Sequence, residues 1–253
     1  MKKLVFLMLV ALSVTKLWSQ GVFPSETNEK FKEDRNFRIP LIGETAPSFT
    51  AESTNGTVKF PSDFGNNWKI LFSHPQDFTP VCSTEILELA KNQNEFDKLG
   101  VKLVVVSTDA LSTHVQWKKS MEGLSFFKTG PVKIEFPLVD DKNLSVSKKY
   151  GMIHAATNTT QSVRGVFIID PNNIIQAIYF YPRSVGRSTD ELLRIVAALK
   201  ATSSKDYMTP INWKPGNDLL VPIPPKTDAT SNTAVPAGYY SPAWYLWFKK
   251  ATN

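Results

Sequence analysis

The chain has 253 residues, 42% of them hydrophobic and 21% charged, with a formal charge of +6 from 29 basic and 23 acidic side chains. That is enough apolar material for one packed core, alone or with a smaller appended domain. The basic residues are scattered and form no long run, which argues against nucleic-acid binding, and the single cysteine, Cys82, excludes an internal disulfide, a C-x-x-C pair and a cysteine-rich zinc site.

Residues 1–19 carry Lys2 and Lys3, an apolar run from Leu4 to Val14, and small or polar residues up to Ser19. This charged, hydrophobic and cleavage-region order predicts a secretory signal peptide, and hence an exported, periplasmic or secreted protein. The run is shorter than the ~20 residues of a membrane span, so an uncleaved anchor is the lesser reading. No cysteine follows it, so a lipoprotein anchor is not expected. Removing residues 1–19 removes Lys2, Lys3 and Lys16 and no acid, so the mature charge falls from +6 to +3. Residues 20–40 are polar and charged and read as a loose arm.

From Leu41 the pattern tightens. Asn55-Gly56 in TNGTVKF is a hairpin turn signal. WKILFS, 68–73, reads as a buried strand. Beyond it, Ile86, Leu89, Ala90 and Phe96 recur at helical spacing and predict one helix over 80–99. VKLVVVST, 101–108, is the next strand, ALSTHVQWKKSM a helix, EFPLVDD a short strand and LSVSKKYGM a short helix. Two strands flank Asp170-Pro171-Asn172-Asn173 within 162–181. STDELLRIVAALK is a helix with Ser188 or Thr189 as N-cap and a stripe of Leu192, Leu193, Val196 and Leu199. This alternation predicts an α/β fold, a mixed sheet covered by helices on both faces, over residues 41–204. Residues 205–253 change composition, first rich in proline and then in aromatics, and read as a C-terminal extension with little regular helix.

The chemistry centres on HPQDFTPVCSTE, 74–85. Thr79 suits an N-cap and Pro80 the first helical position, which puts Cys82 in the first turn of a helix. Backbone N–H groups there lack helical partners and the helix dipole is positive, so a thiolate is favoured over a thiol. The Thr79 hydroxyl lies within reach of the sulfur or of an oxygen bonded to it. On these residues alone a reactive thiol and a buried, inert cysteine both remain open.

The pattern P-x-x-x-T-x-x-C, here Pro75, Thr79 and Cys82, resembles the active-site signature of the peroxiredoxins, thiol peroxidases with a thioredoxin-like fold. FSHPQDFTPVCSTE is similar to the 1-Cys subfamily in particular, through His74 and Glu85. IGETAPSF, VRGVFIIDP, FYPRSVGRSTDELLRIVAALK and TPINWKPGNDLLVPIPP also resemble segments of that family, the last its C-terminal domain, so the likeness covers about residues 40–226.

The resemblance implies a 1-Cys peroxidase. Cys82 would attack hydrogen peroxide or an organic hydroperoxide and become a sulfenic acid. Arg164 would favour the thiolate and bind the peroxide, Thr79 would hydrogen-bond the peroxide, and the Pro75 ring would shield the site. Glu85 and Arg187 would order the arginine network, with His74 in support. No cofactor or metal is implied; Asp140-Asp141 is a lone acidic turn, and His114 and His154 lie outside the motif with no catalytic role expected. With no second cysteine, the sulfenic acid needs an external, unidentified reductant. The resemblance implies a homodimer or larger ring. DFGNNWK lacks the serine of a lipase-like G-x-S-x-G site, so no phospholipase activity is expected. The alternative is a non-catalytic thiol sensor or holdase chaperone on the same fold. The tail GYYSPAWYLWFKK is expected to pack on its own domain or across a dimer rather than on a membrane.

Overall fold

Isoleucine, valine, leucine and phenylalanine alternate across the central strands, and the alternation separates two apolar cores. The computed structural model describes residues 38–125, 130–222 and 237–251; the signal sequence 1–19, most of the arm 20–40 and residues 223–236 of the extension lie outside the described residues. The elements are β1 (Phe49–Ser53), β2 (Gly56–Phe60), β3 (Trp68–Ser73), α1 (Pro80–Lys91), α2 (Gln93–Lys98), β4 (Val101–Ser107), α3 (Leu111–Glu122), β5 (Leu138–Asp140), α4 (Ser145–Lys149), β6 (Arg164–Ile169), β7 (Ile175–Tyr181) and α5 (Thr189–Ala201). Their seven strands form one sheet in the order β2-β1-β5-β4-β3-β6-β7. β3 runs parallel to β4, and β4 to β5, while every other pair is antiparallel. The mixed α/β, thioredoxin-like sheet expected from the sequence is the one observed.

Ile70 and Phe72 of β3, Val105 of β4 and Val166 and Ile168 of β6 face α1, α2, α3 and α5, in one core with Ile86, Phe96, Trp117, Met121 and Val196. Leu71, Val104, Val106, Phe167 and Ile169 point the other way, onto Phe49, Phe60, Val146, Tyr150 and Met152. Burial of each such side chain stabilises the fold by about 1.5–3 kcal/mol. The second face is covered by the short α4 and by aromatic side chains of the β1–β2 hairpin, so the helical cover is thinner there than the alternation of elements suggests.

Three local features refine the sequence expectations. The helix expected over 80–99 is two helices, because the Asn92 side chain donates to the Glu88 carbonyl at 2.8 Å and to Glu88 Oε1 at 2.9 Å. An asparagine that binds the preceding turn competes with the helical ladder, and the chain re-enters as α2. The last helix is capped by Ser188, whose Oγ accepts from the Glu191 N–H at 3.2 Å, rather than by Thr189. Asp141 caps α4 by accepting from the backbone of Val146 at 2.8 Å and Ser147 at 2.7 Å. Asp140 accepts from the N–H of Leu111 at 3.0 Å. The acidic pair is thus spent on backbone donors.

Beyond residue 205 the described residues contain no helix. They form a second sheet from β8 (Leu219–Val221), β9 (Tyr239–Ala243) and β10 (Leu246–Lys249), in the order β8-β10-β9. Tyr240 and Phe248 stack across the hairpin with centroids 4.9 Å apart. Packing within its own sheet therefore accounts for part of the aromatic tail, while Trp244 and Tyr245 at the hairpin tip are 79% and 58% exposed.

Candidate active site

Cys82 sits where the fold concentrates unpaired backbone donors. Strand β3 ends at Ser73, and the His74 N–H continues its pairing to the Val106 carbonyl at 3.1 Å. The chain then turns through Phe78, held in the left-handed region at φ 54°. Thr79 follows in extended N-cap geometry, and its carbonyl accepts from the Ser83 N–H at 2.9 Å to close the first turn of α1. Pro80 is the first helical residue, so Cys82 lies in the first turn beyond the carboxyl end of the parallel β3–β4 pair. Its side chain is fully buried among Phe72, Ile86 and their neighbours.

The antiparallel neighbour β6 supplies the cation. Phe72 pairs with Val166, so Arg164 lies two residues on, level with His74. Its Nη1 donates to Cys82 Sγ at 3.2 Å and to Glu85 Oε2 at 2.8 Å. Its Nε and Nη2 both donate to the Arg183 carbonyl, at 3.0 and 2.6 Å. Glu85 is three residues after Cys82 and shares its helix face. It also receives Arg187, through Nε to Oε1 at 2.8 Å, Nη2 to Oε2 at 2.7 Å and the backbone N–H to Oε1 at 2.8 Å. The remaining Nη1 of Arg187 donates to the carbonyls of Ser73 at 2.7 Å and Gly165 at 3.0 Å. The guanidinium carbon lies 3.3 Å from the centroid of the Phe72 ring, and the arginine staples α1 to the ends of β3 and β6.

The side chains of Arg164, Glu85 and Arg187 are only 3%, 3% and 2% exposed. Two guanidiniums against one carboxylate leave one positive charge (+2 − 1 = +1) in a buried site, and an anionic sulfur at Cys82 would neutralise it. Burial would raise the Glu85 pKa, but the hydrogen bonds and charge of Arg187 and the charge of Arg164 hold it below the usual carboxylate value. Burial depresses the Arg187 pKa, with Glu85 opposing.

The other expected residues take distinct places. Pro75 is buried in the turn. Thr79 occupies the N-cap but its Oγ1 donates to the Gln76 carbonyl at 2.8 Å rather than to the sulfur or the helix. A hydroxyl has one proton, so donating to a peroxide means releasing that carbonyl. His74 is fully buried, and its Nε2 meets Asp77 Oδ1 at 2.8 Å. His114, which lies outside the motif, meets the same carboxylate through Nδ1 to Oδ2 at 2.6 Å, and its Nε2 faces the Val139 carbonyl at 3.1 Å. A carbonyl only accepts, so His114 Nε2 bears hydrogen.

Burial opposes charge on all three groups, but the outcomes differ. Asp77, bonded to two histidines, is held below the carboxylate range, while the Asp77 bond lifts His114 above the ordinary histidine value. Burial keeps His74 below that value. A neutral His74 with hydrogen on Nε2 leaves a bare Nδ1, which has no hydrogen-bond partner among the described residues. His74, Asp77 and Asp109 bring potential ligand atoms within 4.8 Å of one another, but Asp109 Oδ2 already accepts from the Asp77 N–H at 2.9 Å and from Ser107 Oγ at 3.0 Å.

Thus Cys82, Glu85, Arg164 and Arg187 meet in one hydrogen-bonded cluster, while His74 faces a neighbouring carboxylate. Asp77 and the Arg183 carbonyl were not among the expected site groups, and His114, for which no catalytic role is expected, meets Asp77 rather than the sulfur. Asp77 stands inside the quoted motif, three residues after His74, and that spacing was the available signal.

The model of the AhpC/TSA family matches residues 42–178. A peroxiredoxin of Methanosarcina mazei is 42% identical over 218 residues, which are 85% of this chain and 100% of the relative. Among solved structures, the yeast mitochondrial 1-Cys peroxiredoxin, described for thiol resolution via glutathione/thioredoxin systems, superposes with a TM-score of 0.73 at 35% identity, covering 84% of this chain and all of that one. Peroxiredoxin 6 of Arenicola marina, as a cysteine-to-serine mutant, gives 0.69 at 31% identity, covering 84% of this chain and 99% of its own.

Proposed function

The chain belongs to the AhpC/TSA family of thiol peroxidases, the peroxiredoxins, and from that premise we propose that it reduces hydrogen peroxide and organic hydroperoxides by a one-cysteine cycle at Cys82. The observation that carries this reading is the Arg164 Nη1 to Cys82 Sγ contact at 3.2 Å, made by a guanidinium that Glu85 holds through Nη1 and the Arg183 carbonyl holds through Nε and Nη2.

The thiolate attacks the terminal oxygen of ROOH. The S–O bond forms as the O–O bond breaks, sulfur is oxidised to the sulfenic acid, and the leaving RO⁻ takes a proton to become ROH. Negative charge moves from sulfur to the leaving oxygen, and the preorganised Arg164 guanidinium is placed to follow it. Thr79 donates to the peroxide once its proton leaves the Gln76 carbonyl, and Pro75 limits water.

Cys82 is the only cysteine in the chain, so two molecules of an external thiol return the sulfenic acid to thiol, releasing water and their own disulfide. The yeast relative, resolved via glutathione/thioredoxin systems, supports a small thiol or a thioredoxin-type protein as that reductant. Reduced protein mixed with one equivalent of hydrogen peroxide should give one trappable sulfenic acid and no cross-linked chain. Added thiol should then support steady turnover. A single oxidation without turnover, whichever of these reductants is supplied, would favour the sensor reading.

Export and assembly belong to the same proposal. The order of charge, apolar run and Ser19 in residues 1–19 supports export. The outer edge of β7, which pairs only with β6 among the described residues, supports a homodimer or larger ring. Protein recovered from its own cells should begin at Gln20 and elute in gel filtration above the monomer; an intact Met1 or a monomeric profile would remove the corresponding part.

A further inference from the structure

A chain of hydrogen bonds crosses the surface above Cys82 and connects two residues of the peroxide site that do not touch each other. It starts at the Arg183 carbonyl, which holds both Nε and Nη2 of Arg164. The side chain of the same Arg183 donates from Nη1 to Gln161 Oε1 at 2.5 Å. Gln161 Nε2 donates to Gln76 Oε1 at 3.1 Å. The Gln76 carbonyl accepts the Thr79 hydroxyl at 2.8 Å. One residue thus fixes Arg164 through its backbone and reaches through its side chain towards the loop that holds Thr79.

The middle of this connection is itself anchored. Asn158 Oδ1 accepts the Gln161 N–H at 3.0 Å and the Thr160 N–H at 2.7 Å, which shapes the turn before Gln161. The next residue, Ser162, is buried and bonds Ser73 Oγ at 2.8 Å and the His74 carbonyl at 3.1 Å. Gln161 therefore projects from a fixed point, with a rigid base at the end of β3. Gln76 and Arg183 are exposed and Gln161 is half-buried, so none of the three contributes appreciably to the core. Their mutual bonds are the feature that distinguishes them from other surface side chains.

We propose that Gln76, Gln161 and Arg183 form a strap of positioning residues that holds the turn bearing Thr79 and the Arg164 guanidinium at a fixed separation for the peroxide between them. The inference rests on the peroxidase reading. Two donors aimed at the same peroxide gain from a fixed spacing, because a mismatch of about 1 Å can cost a factor of about a hundred in rate. Here Thr79 and Arg164 come from different segments, a turn and a strand. The strap runs directly between those segments on the solvent side.

The test is a cycle of Arg183→Ala, Gln76→Ala and the double variant, whose side chains do not contact each other. The readout is the second-order rate constant for single-turnover oxidation of Cys82 by hydrogen peroxide, with iodoacetamide alkylation of Cys82 and the melting temperature alongside. Each single variant should oxidise about five- to tenfold more slowly, as expected for slackened rather than deleted donors. The double variant should be no slower than the singles, because a strap cut twice is no looser than one cut once. Alkylation, which needs no peroxide alignment, should stay within about twofold of the parent, and melting should be unchanged.

Single variants that oxidise as fast as the parent would overturn the proposal. So would a double variant whose losses multiply, or alkylation that falls in parallel with oxidation. A parent protein that fails to consume peroxide would instead defeat the peroxidase reading, and the two failures are separable.

Discussion

Replacing Cys82 with serine is expected to reduce peroxide consumption to the rate of buffer and reductant alone, with the fold retained. Serine offers a hydroxyl where the reaction needs an ionised, oxidisable sulfur. The alcohol remains protonated even beside Arg164 Nη1, which contacts the cysteine sulfur at 3.2 Å, and it has no counterpart to a sulfenic acid. No other cysteine in the chain could substitute. The structural cost is small. Serine is slightly smaller than cysteine, and its oxygen can accept the Arg164 donor, so it is not left unpaired in the core. A loss of about 1–2 kcal/mol is expected from the packing change. The check is steady-state peroxide loss with a small-thiol reductant, run beside a thermal melt. Residual turnover at more than a trace of the parent rate, in a variant that melts normally, would mean that the chemistry resides elsewhere.

The sequence exposed the reacting group and its nearest partners because each lies within a short, patterned segment. Cys82 and Glu85 share a helical face by spacing alone. The start of that helix was legible from Thr79-Pro80. Arg164 opens a strand that is buried throughout and Arg187 immediately precedes the Ser188 cap of α5, but the parts given to both arginines rested on the family resemblance rather than on their spacing. The fold class followed from the alternation of β-branched runs and amphipathic helices.

What escaped the sequence depends on long-range pairing. Asp77 and His114 are separated by the whole of α1, α2 and β4, and only the parallel β3–β4 register brings His74 and α3 to one carboxylate. Lys69 stands in a strand whose six residues are all buried, and a run of apolar neighbours does not predict a lysine there. Its Nζ escapes by reaching Asn173 Oδ1 at 2.7 Å in the β6–β7 turn. The break at Asn92 depends on a side chain choosing the Glu88 carbonyl. The C-terminal sheet was missed because its strands are three to five residues long and β9 contains a proline. Such segments acquire strand geometry from their partners rather than from their own pattern.

The second large effect concerns Glu85, the one carboxylate between two buried guanidiniums. Glu85→Gln keeps the shape and removes the charge. The ion pairs to Arg164 Nη1 at 2.8 Å and Arg187 Nη2 at 2.7 Å are then lost in a site where the side chains are at most 3% exposed. Removing one partner of a buried pair strands the others without solvent, and the expected loss is about 3–5 kcal/mol. It should appear as a lower denaturant midpoint with an unchanged slope. The pH dependence identifies the cause. The folded pKa of Glu85 is held below its ordinary 4.5, so its contribution is complete above pH 4.5 and is lost as the pH falls through the folded value. Acid protonates Glu85 in the parent and makes it resemble the amide variant. The stability gap between the two proteins should therefore be constant near neutrality and close progressively below pH 4.5. Asp77, whose pKa is also depressed, destabilises both proteins over a similar range and cancels from the difference. A gap under about 1 kcal/mol at pH 7, the size expected of an exposed pair, or one that persists undiminished in acid, would show that Glu85 does not supply the counter-charge that keeps Arg164 beside the sulfur.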